Sequence, residues 1–265
     1  MRATFLVIIA IAALVSPVAA DEKADAAVRE YREALKAASP GELYVIMGEE
    51  LWRAPRGPSK VTLERCDLGL GPGVLKGAYA QLPRYFADTD KVEDLESRIA
   101  TCMRTLQGIA PEQLPRHGFG DARMADFLRL ASYVAAQSNG MKLAPPLSHP
   151  KELDAYRIGE RLFYRRAGSH DFSCATCHAI TDKRVRLQRL TNLVDAADAR
   201  RGLPSWPAYR PVAGDVHTMQ LWLAACMHQT RHPQLLFGSE ASIALQVYMA
   251  QHAAGGVIDV PGVRR

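Results

Sequence analysis

Cys174 and Cys177 stand three residues apart and His178 follows directly, in Cys174-Ala-Thr-Cys177-His178. The spacing C-x-x-C-H is that of covalent haem c attachment. Two thiols add across the vinyl groups of the porphyrin, and the adjacent imidazole is held beneath the iron as proximal ligand. A redox dithiol would share the Cys pair, and so would half a zinc site. Zinc, however, calls for a second Cys/His pair at similar spacing, and the chain offers none.

Covalent haem attachment requires export, and the N-terminus has the pattern of an export signal. Arg2 gives a basic start, Phe5 to Val15 is apolar, and Val18-Ala19-Ala20 supplies small residues for cleavage before Asp21. Residues 1–20 are therefore expected to be removed near Ala20, and the mature protein to be soluble and periplasmic. The apolar run is short for a bilayer span, so no membrane association is expected. About 245 residues would remain, enough for two small domains. With 33 Lys+Arg against 28 Asp+Glu the formal charge is +5. The basic residues are interspersed with acids rather than gathered in a stripe, which argues against nucleic acid as a partner.

The elements that position the motif are helical. A polar helix is predicted over 21–40, and apolar periodicity predicts others over 91–107 and 122–138. The run Leu143-Ala-Pro-Pro-Leu-Ser-His-Pro150 has the composition of a linker. A helix from about Lys151 to Arg165 leads into the haem motif, and a Pro-rich loop follows it. Helices around 216–229 and from Ser239 to His252 come next, then an extended tail from Gly256 to Arg265.

The two halves repeat each other. Gly48-Glu-x-Leu-Trp52 matches Gly159-Glu-x-Leu-Phe163, and the same offset places Cys66 on Cys177. Cys102-Met103 then matches Cys226-Met227, and Leu130-x-x-Tyr133 matches Leu245-x-x-Tyr248. Ordered landmarks of this kind indicate a duplicated domain. The expected fold is mainly α: two tandem cytochrome c-like domains, a haem-less one over 21–145 and a haem-binding one over 146–265. In the first copy Glu64 and Asp67 stand near the positions of the absent Cys and His. Cys66 and Cys102 are read as a disulfide that substitutes there for haem.

Candidates for the sixth iron ligand are Met219, Met227, Met249, His217, His228, His232 and Cys226. Met249 fits the core, while His228 and His232 sit in a polar stretch. Cys226 is favoured because an unpaired cysteine in an oxidising compartment is a liability unless bound or buried. The repeat also sets it opposite Cys102. Thiolate ligation lowers the iron potential relative to Met, which suits chemistry over simple carriage.

Across nearly the whole mature chain the sequence resembles the SoxA family, cytochrome subunits of the SoxAX sulfur-oxidation enzyme. In the first half the resemblance rests on Leu63-Glu-x-Cys66-Asp-Leu-Gly-Leu-Gly-Pro-Gly73 and Asp94-Leu-Glu-x-Arg98-x-x-x-Cys102-Met103. In the second it rests on Ser173-Cys-Ala-Thr-Cys-His178, Pro207-x-Tyr-Arg210, Cys226 and Val260-Pro-Gly-Val-Arg264. The single motif resembles the single-haem branch. That likeness implies an L-cysteine S-thiosulfotransferase subunit with one haem c, working with a small SoxX-like cytochrome. Thiosulfate would be coupled to a cysteine of a SoxYZ-like carrier, with electrons passing to a cytochrome c acceptor. It implies His178 and Cys226 as axial ligands and a persulfide on Cys226 as the catalytic sulfur.

One departure stands out. The family usually has an Arg four residues before the ligand cysteine, and here Trp222 occupies that position, preceded by Leu221. Arg231, Arg210 or Lys183 are alternative cations for an anionic substrate. An electron-transfer cytochrome, or a relative diverged toward another sulfur compound, is the competing expectation.

Overall fold

The computed structural model describes residues 23–264 except positions 24, 25, 28, 29, 32, 35, 36, 186 and 187. The export signal expected over 1–20 lies outside the described residues. The chain divides into two units between residues 38 and 39. In the first, the described positions from Lys23 to Ala37 are helical and exposed. Among the described residues no helix is long and apolar enough to cross a membrane.

The second unit is mainly helical, and its helices pair in the same way twice. Helix α1 (Gly41–Arg53) precedes the hairpin β1 (Arg84–Phe86) and β2 (Lys91–Glu93). Helices α2 (Leu95–Thr105) and α3 (Met124–Ala136) complete the first half. The second half opens with α4 (Pro150–Tyr164) and the one-turn helix α5 (Cys174–His178). A short pair, β3 (Arg184–Val185) and β4 (Gln188–Arg189), leads to α6 (Ala196–Gly202). The hairpin β5 (Ala208–Arg210) and β6 (Asp215–His217) precedes α7 (Met219–Gln229) and α8 (Glu240–His252), and β7 (Gly262–Val263) closes the chain.

Both halves turn on a glycine. At Gly48 an added Cβ would lie 2.1 Å from the Arg129 carbonyl oxygen, so α1 crosses α3 backbone to backbone. At Gly159 the same atom would lie 2.0 Å from the carbonyl oxygen of Ala244, so α4 crosses α8 identically. One turn on, Trp52 faces Tyr133 at 6.3 Å between ring centroids, and Phe163 faces Tyr248 at 5.2 Å. Only Gly permits such an approach. The landmarks Gly48/Gly159 and Tyr133/Tyr248 thus occupy equivalent contacts.

Two expected helices begin later than periodicity alone indicates. Asp94 accepts from the Ser97 N–H at 2.8 Å while the Ser97 hydroxyl accepts from the Asp94 N–H at 3.0 Å, a reciprocal cap that starts α2 at Leu95. Thr218 caps α7 by accepting from the Leu221 N–H. The residues ahead of each cap are drawn into hairpins, with Tyr85 opposite Val92 and Tyr209 opposite Val216. Strands of three residues leave no readable alternation. The tail is extended but not loose: β7 runs parallel beside β5, and Ile258 and Val260 are buried in the first half's core.

Candidate functional site

The Cys-x-x-Cys-His segment forms α5, one helical turn. Ser173 caps it by accepting from the Thr176 N–H at 3.2 Å, and the Thr176 hydroxyl accepts from the Ser173 N–H at 3.0 Å. One turn separates Cys174 from Cys177, so both thiols leave the same side of the helix. Cys174, Ala175 and Ala179 pack on a core of Phe163, Leu193, Leu223, Leu245, Tyr248 and Met249. Helices α4, α7 and α8 build that wall.

His178 is fixed at two points. Its Nδ1 lies 2.9 Å from the Thr191 carbonyl, and its own carbonyl accepts from the Leu193 N–H at 2.7 Å. Donation from Nδ1–H leaves the Nε2 lone pair free, the tautomer that ligates iron. Burial lowers the pKa of the ring, with the Thr191 carbonyl acting in the opposite direction, so the neutral form is favoured. The segment that supplies Thr191 is itself braced by Asp198. That carboxylate accepts from the Asn192 N–H at 2.7 Å and from Arg189 and Arg201. Burial works to raise Asp198, but these donors outweigh it and hold the pKa below the usual carboxylate value.

Cys226 is carried by α7. Burial raises its thiol pKa, and proximity to Cys177 adds to the rise. Cys174 is pushed up to about 12 by burial first and then by Cys226 and Cys177. Three free sulfurs, those of Cys174, Cys177 and Cys226, therefore lie within electrostatic reach of one another, and His178 follows Cys177 on the same turn. Met219 and Met227 border the same core. The other candidates are engaged elsewhere. Met249 is buried in the core. His228 is exposed and lies against Phe119, 5.2 Å between centroids. His232 is half-buried rather than exposed, because its ring nitrogens reach the Thr230 hydroxyl and the Phe172 carbonyl, each at 2.8 Å.

This donor set fits haem c: two thiols on one side of a turn, an oriented neutral imidazole, and apolar walls. The first half closes the equivalent place covalently. Cys66 and Cys102 are disulfide-bonded, with Cα atoms 5.6 Å apart, and both are buried. Asp67 there accepts from the N–H groups of Gly69 and Gly71.

A second group of residues beside Cys226 was not singled out as a unit by sequence. Arg210 of β5 lies over the Trp222 ring, 3.8 Å from guanidinium carbon to centroid. Trp206 stacks on Trp222 at 5.4 Å, and His217 stands 6.3 Å away. The imidazole of His217 is pushed down to about 4, by burial first and then by Arg210. Arg231, by contrast, is exposed, and Lys183 is half-buried in the β3 loop.

The family model "SoxA/TsdA, cytochrome c domain" matches residues 47–143, within the half that lacks the haem motif. The chain is 47% identical over 239 residues to the L-cysteine S-thiosulfotransferase subunit SoxA of Hydrogenophilus thermoluteolus, covering 90% of this chain and 88% of the relative. It is 37% identical to the subunit of the same name from Hydrogenobacter thermophilus, covering 85% and 82%. The fold superposes on the crystal structure of SoxXA from P. pantotrophus with a TM-score of 0.73, at 23% identity, covering 89% of this chain and 84% of that one.

Proposed function

The chain belongs to the SoxA family, and on that premise we propose that it is the haem-bearing subunit of an L-cysteine S-thiosulfotransferase. The observation that supports this most is the Cys-x-x-Cys-His turn with an oriented His178 imidazole and a third free thiol, Cys226, close to Cys174 and Cys177. In the overall reaction a carrier thiol and thiosulfate join through a new S–S bond. The product is Cys–S–S–SO3⁻, and two electrons and one proton leave. Haem held by Cys174 and Cys177 through thioether bonds supplies one-electron acceptance at the pocket. His178, kept in one tautomer by Thr191, and Cys226 would hold its iron.

Cys226 has a second task in this reading. Burial alone favours its neutral thiol, whereas an adjacent cation favours the thiolate. A sulfur so activated, or the outer sulfur of a persulfide carried on it, is a nucleophile. The electrons pass to a SoxX-like partner cytochrome and onward to a cytochrome c acceptor, and the thiol substrate belongs to a SoxYZ-like carrier. Residues 1–20 serve as export signal to the periplasm. The mature chain divides into a haem-less domain, 21–145, and a haem domain, 146–265.

The test is mass analysis of the exported protein without reductant, intact and after proteolysis, with a thiosulfate- and carrier-dependent turnover assay alongside. One haem, cleavage near Ala20 and an extra sulfur on Cys226 are expected. An unmodified Cys226 after exposure to thiosulfate, with no turnover, overturns the reading. It would favour an electron carrier, for which Met219 and Met227 stand ready at the same core.

A further inference from the structure

The two halves contain the same cation–ring pair built in opposite senses. In the first, Arg98 of α2 lies over the ring of Phe86 from β1, at 4.0 Å. In the second, Arg210 of β5 lies over the ring of Trp222 from α7, at 3.8 Å. The offset that sets Cys102 on Cys226 also sets Phe86 on Arg210 and Arg98 on Trp222. Strand and helix have exchanged ring and cation.

What surrounds the two cations differs. Arg98 is neutralised by Asp88 at 2.8 Å and Glu93 at 3.2 Å, and it donates to the Asp67 carbonyl at 2.6 Å. The same offset replaces Asp88 by Val212 and Glu93 by His217. Asp215, directly across the ladder from Arg210, turns its carboxylate to the Val216 N–H and to Tyr44. Among the described residues no carboxylate lies within ion-pair distance of Arg210, which is only 8% exposed. Guanidinium does not shed its proton under such conditions. Burial acts against its charge. A buried cation without an acidic partner is uncompensated, and an anion beside it would relieve that cost.

Trp222 and Cys226 are one turn apart on α7 and so lie on one face. We propose that Arg210, held flat on Trp222, binds the sulfonate end of thiosulfate and turns the outer sulfur toward Cys226. Trp222 is the positioning residue. It replaces a helix-borne cation with a platform for a strand-borne one. The planar fork of Arg suits two oxygens of a sulfonate. This proposal deepens the thiosulfotransferase reading and rests on it for the identity of the anion.

The test uses the haem-loaded chain with its partner subunit. Thiosulfate affinity is measured by calorimetry, with sulfate as competitor, together with KM, kcat and the haem potential. Arg210→Gln is expected to weaken thiosulfate binding and raise KM by roughly tenfold or more, with a smaller change in kcat. Arg210→Lys, which keeps the charge and guards against a folding artefact, is expected to retain part of the affinity. Trp222→Phe is expected to preserve KM and Trp222→Ala to raise it. The double change Arg210→Phe with Trp222→Arg rebuilds the first-half arrangement and is expected to recover binding. Unchanged thiosulfate affinity in Arg210→Gln overturns the proposal. So does an altered haem potential with thiosulfate binding intact, which would assign Arg210 to a haem propionate instead. Arg210-dependent thiosulfate binding in a wild-type protein without turnover upholds the anion site and removes the enzymatic reading.

Discussion

The Thr218 hydroxyl donates to Glu96 over 2.5 Å, joining the first turn of α2 to the cap of α7. The contact is reciprocal. At the repeat offset Asp94 and Glu96 correspond to Thr218 and Gln220, and Gln220 donates from Nε2 to Asp94 at 2.7 Å and from its N–H to Glu96 at 3.2 Å. Gln246 of α8 adds a further bond to Asp94. The halves thus clasp through equivalent residues, as an isologous interface does. The helix that presents Cys226 is anchored at this buried polar cluster.

Glu96 is pushed up to about 8, by burial first and then by the Asp94 charge, against the donors Thr218 and Gln220. A folded pKa above the unfolded one means that its stabilising contribution is full below the unfolded value. It fades as pH rises from about 4.5 through about 8. Glu96→Gln is expected to flatten this loss. In urea unfolding from about pH 5 to about pH 9 the variant should gain on the wild type as pH rises. Parallel pH profiles would exclude Glu96 as the source.

Gly159→Ala places a Cβ 2.0 Å from the Ala244 oxygen, and neither backbone can yield locally. Overpacking of this kind costs about 1–3 kcal/mol or more, against a helix-propensity gain of about 1 kcal/mol. Net destabilisation is expected for Gly159→Ala and Gly48→Ala alike. Only the former disturbs the Phe163–Tyr248 wall, so only it should also lower haem retention, read from the Soret band per mole of protein.

Removing the two ring-stacked cations should have unequal costs. Arg98→Leu strands Glu93, which is 5% exposed and otherwise held by Thr101. An abandoned buried charge costs about 3–5 kcal/mol. Arg210→Leu leaves no carboxylate behind and is expected to cost about 1 kcal/mol or less. Thermal unfolding of both variants checks this, and equal losses would contradict the difference in their neutralisation.

The Cys66–Cys102 bridge is buried on both sides. Reductant without denaturant should leave it intact, as trapping with a thiol reagent would report. Replacing both cysteines by Ala is expected to cost about 2–4 kcal/mol in urea unfolding, with the haem spectrum unchanged. A spectrum that shifts with the bridge would tie the first half to the haem pocket.

Some of this molecule is legible in the order of its residues alone. Cys174, Cys177 and His178 are adjacent because covalent attachment is local chemistry, so spacing is enough to find them. The repeat is legible because Gly48 and Gly159 sit where two helix backbones touch, a contact no other residue permits. Their Tyr133 and Tyr248 partners mark the other face. Export and the bounds of the two domains remain expectations of the sequence.

Tertiary structure decided what depends on pairs distant in the chain. The strands of both hairpins are too short for any periodicity, and Asp94 and Thr218 cut the helices back only once their caps are seen. Thr191 fixes the His178 tautomer through a backbone carbonyl, which carries no residue signature. Set against the usual SoxA pattern, Trp222 stands where a cation is expected. Folding brings one back from the strand, because a ring at that position offers a flat face to the guanidinium of Arg210. Side-chain identity records what a position holds, and only three-dimensional contact determines which neighbour supplies the charge.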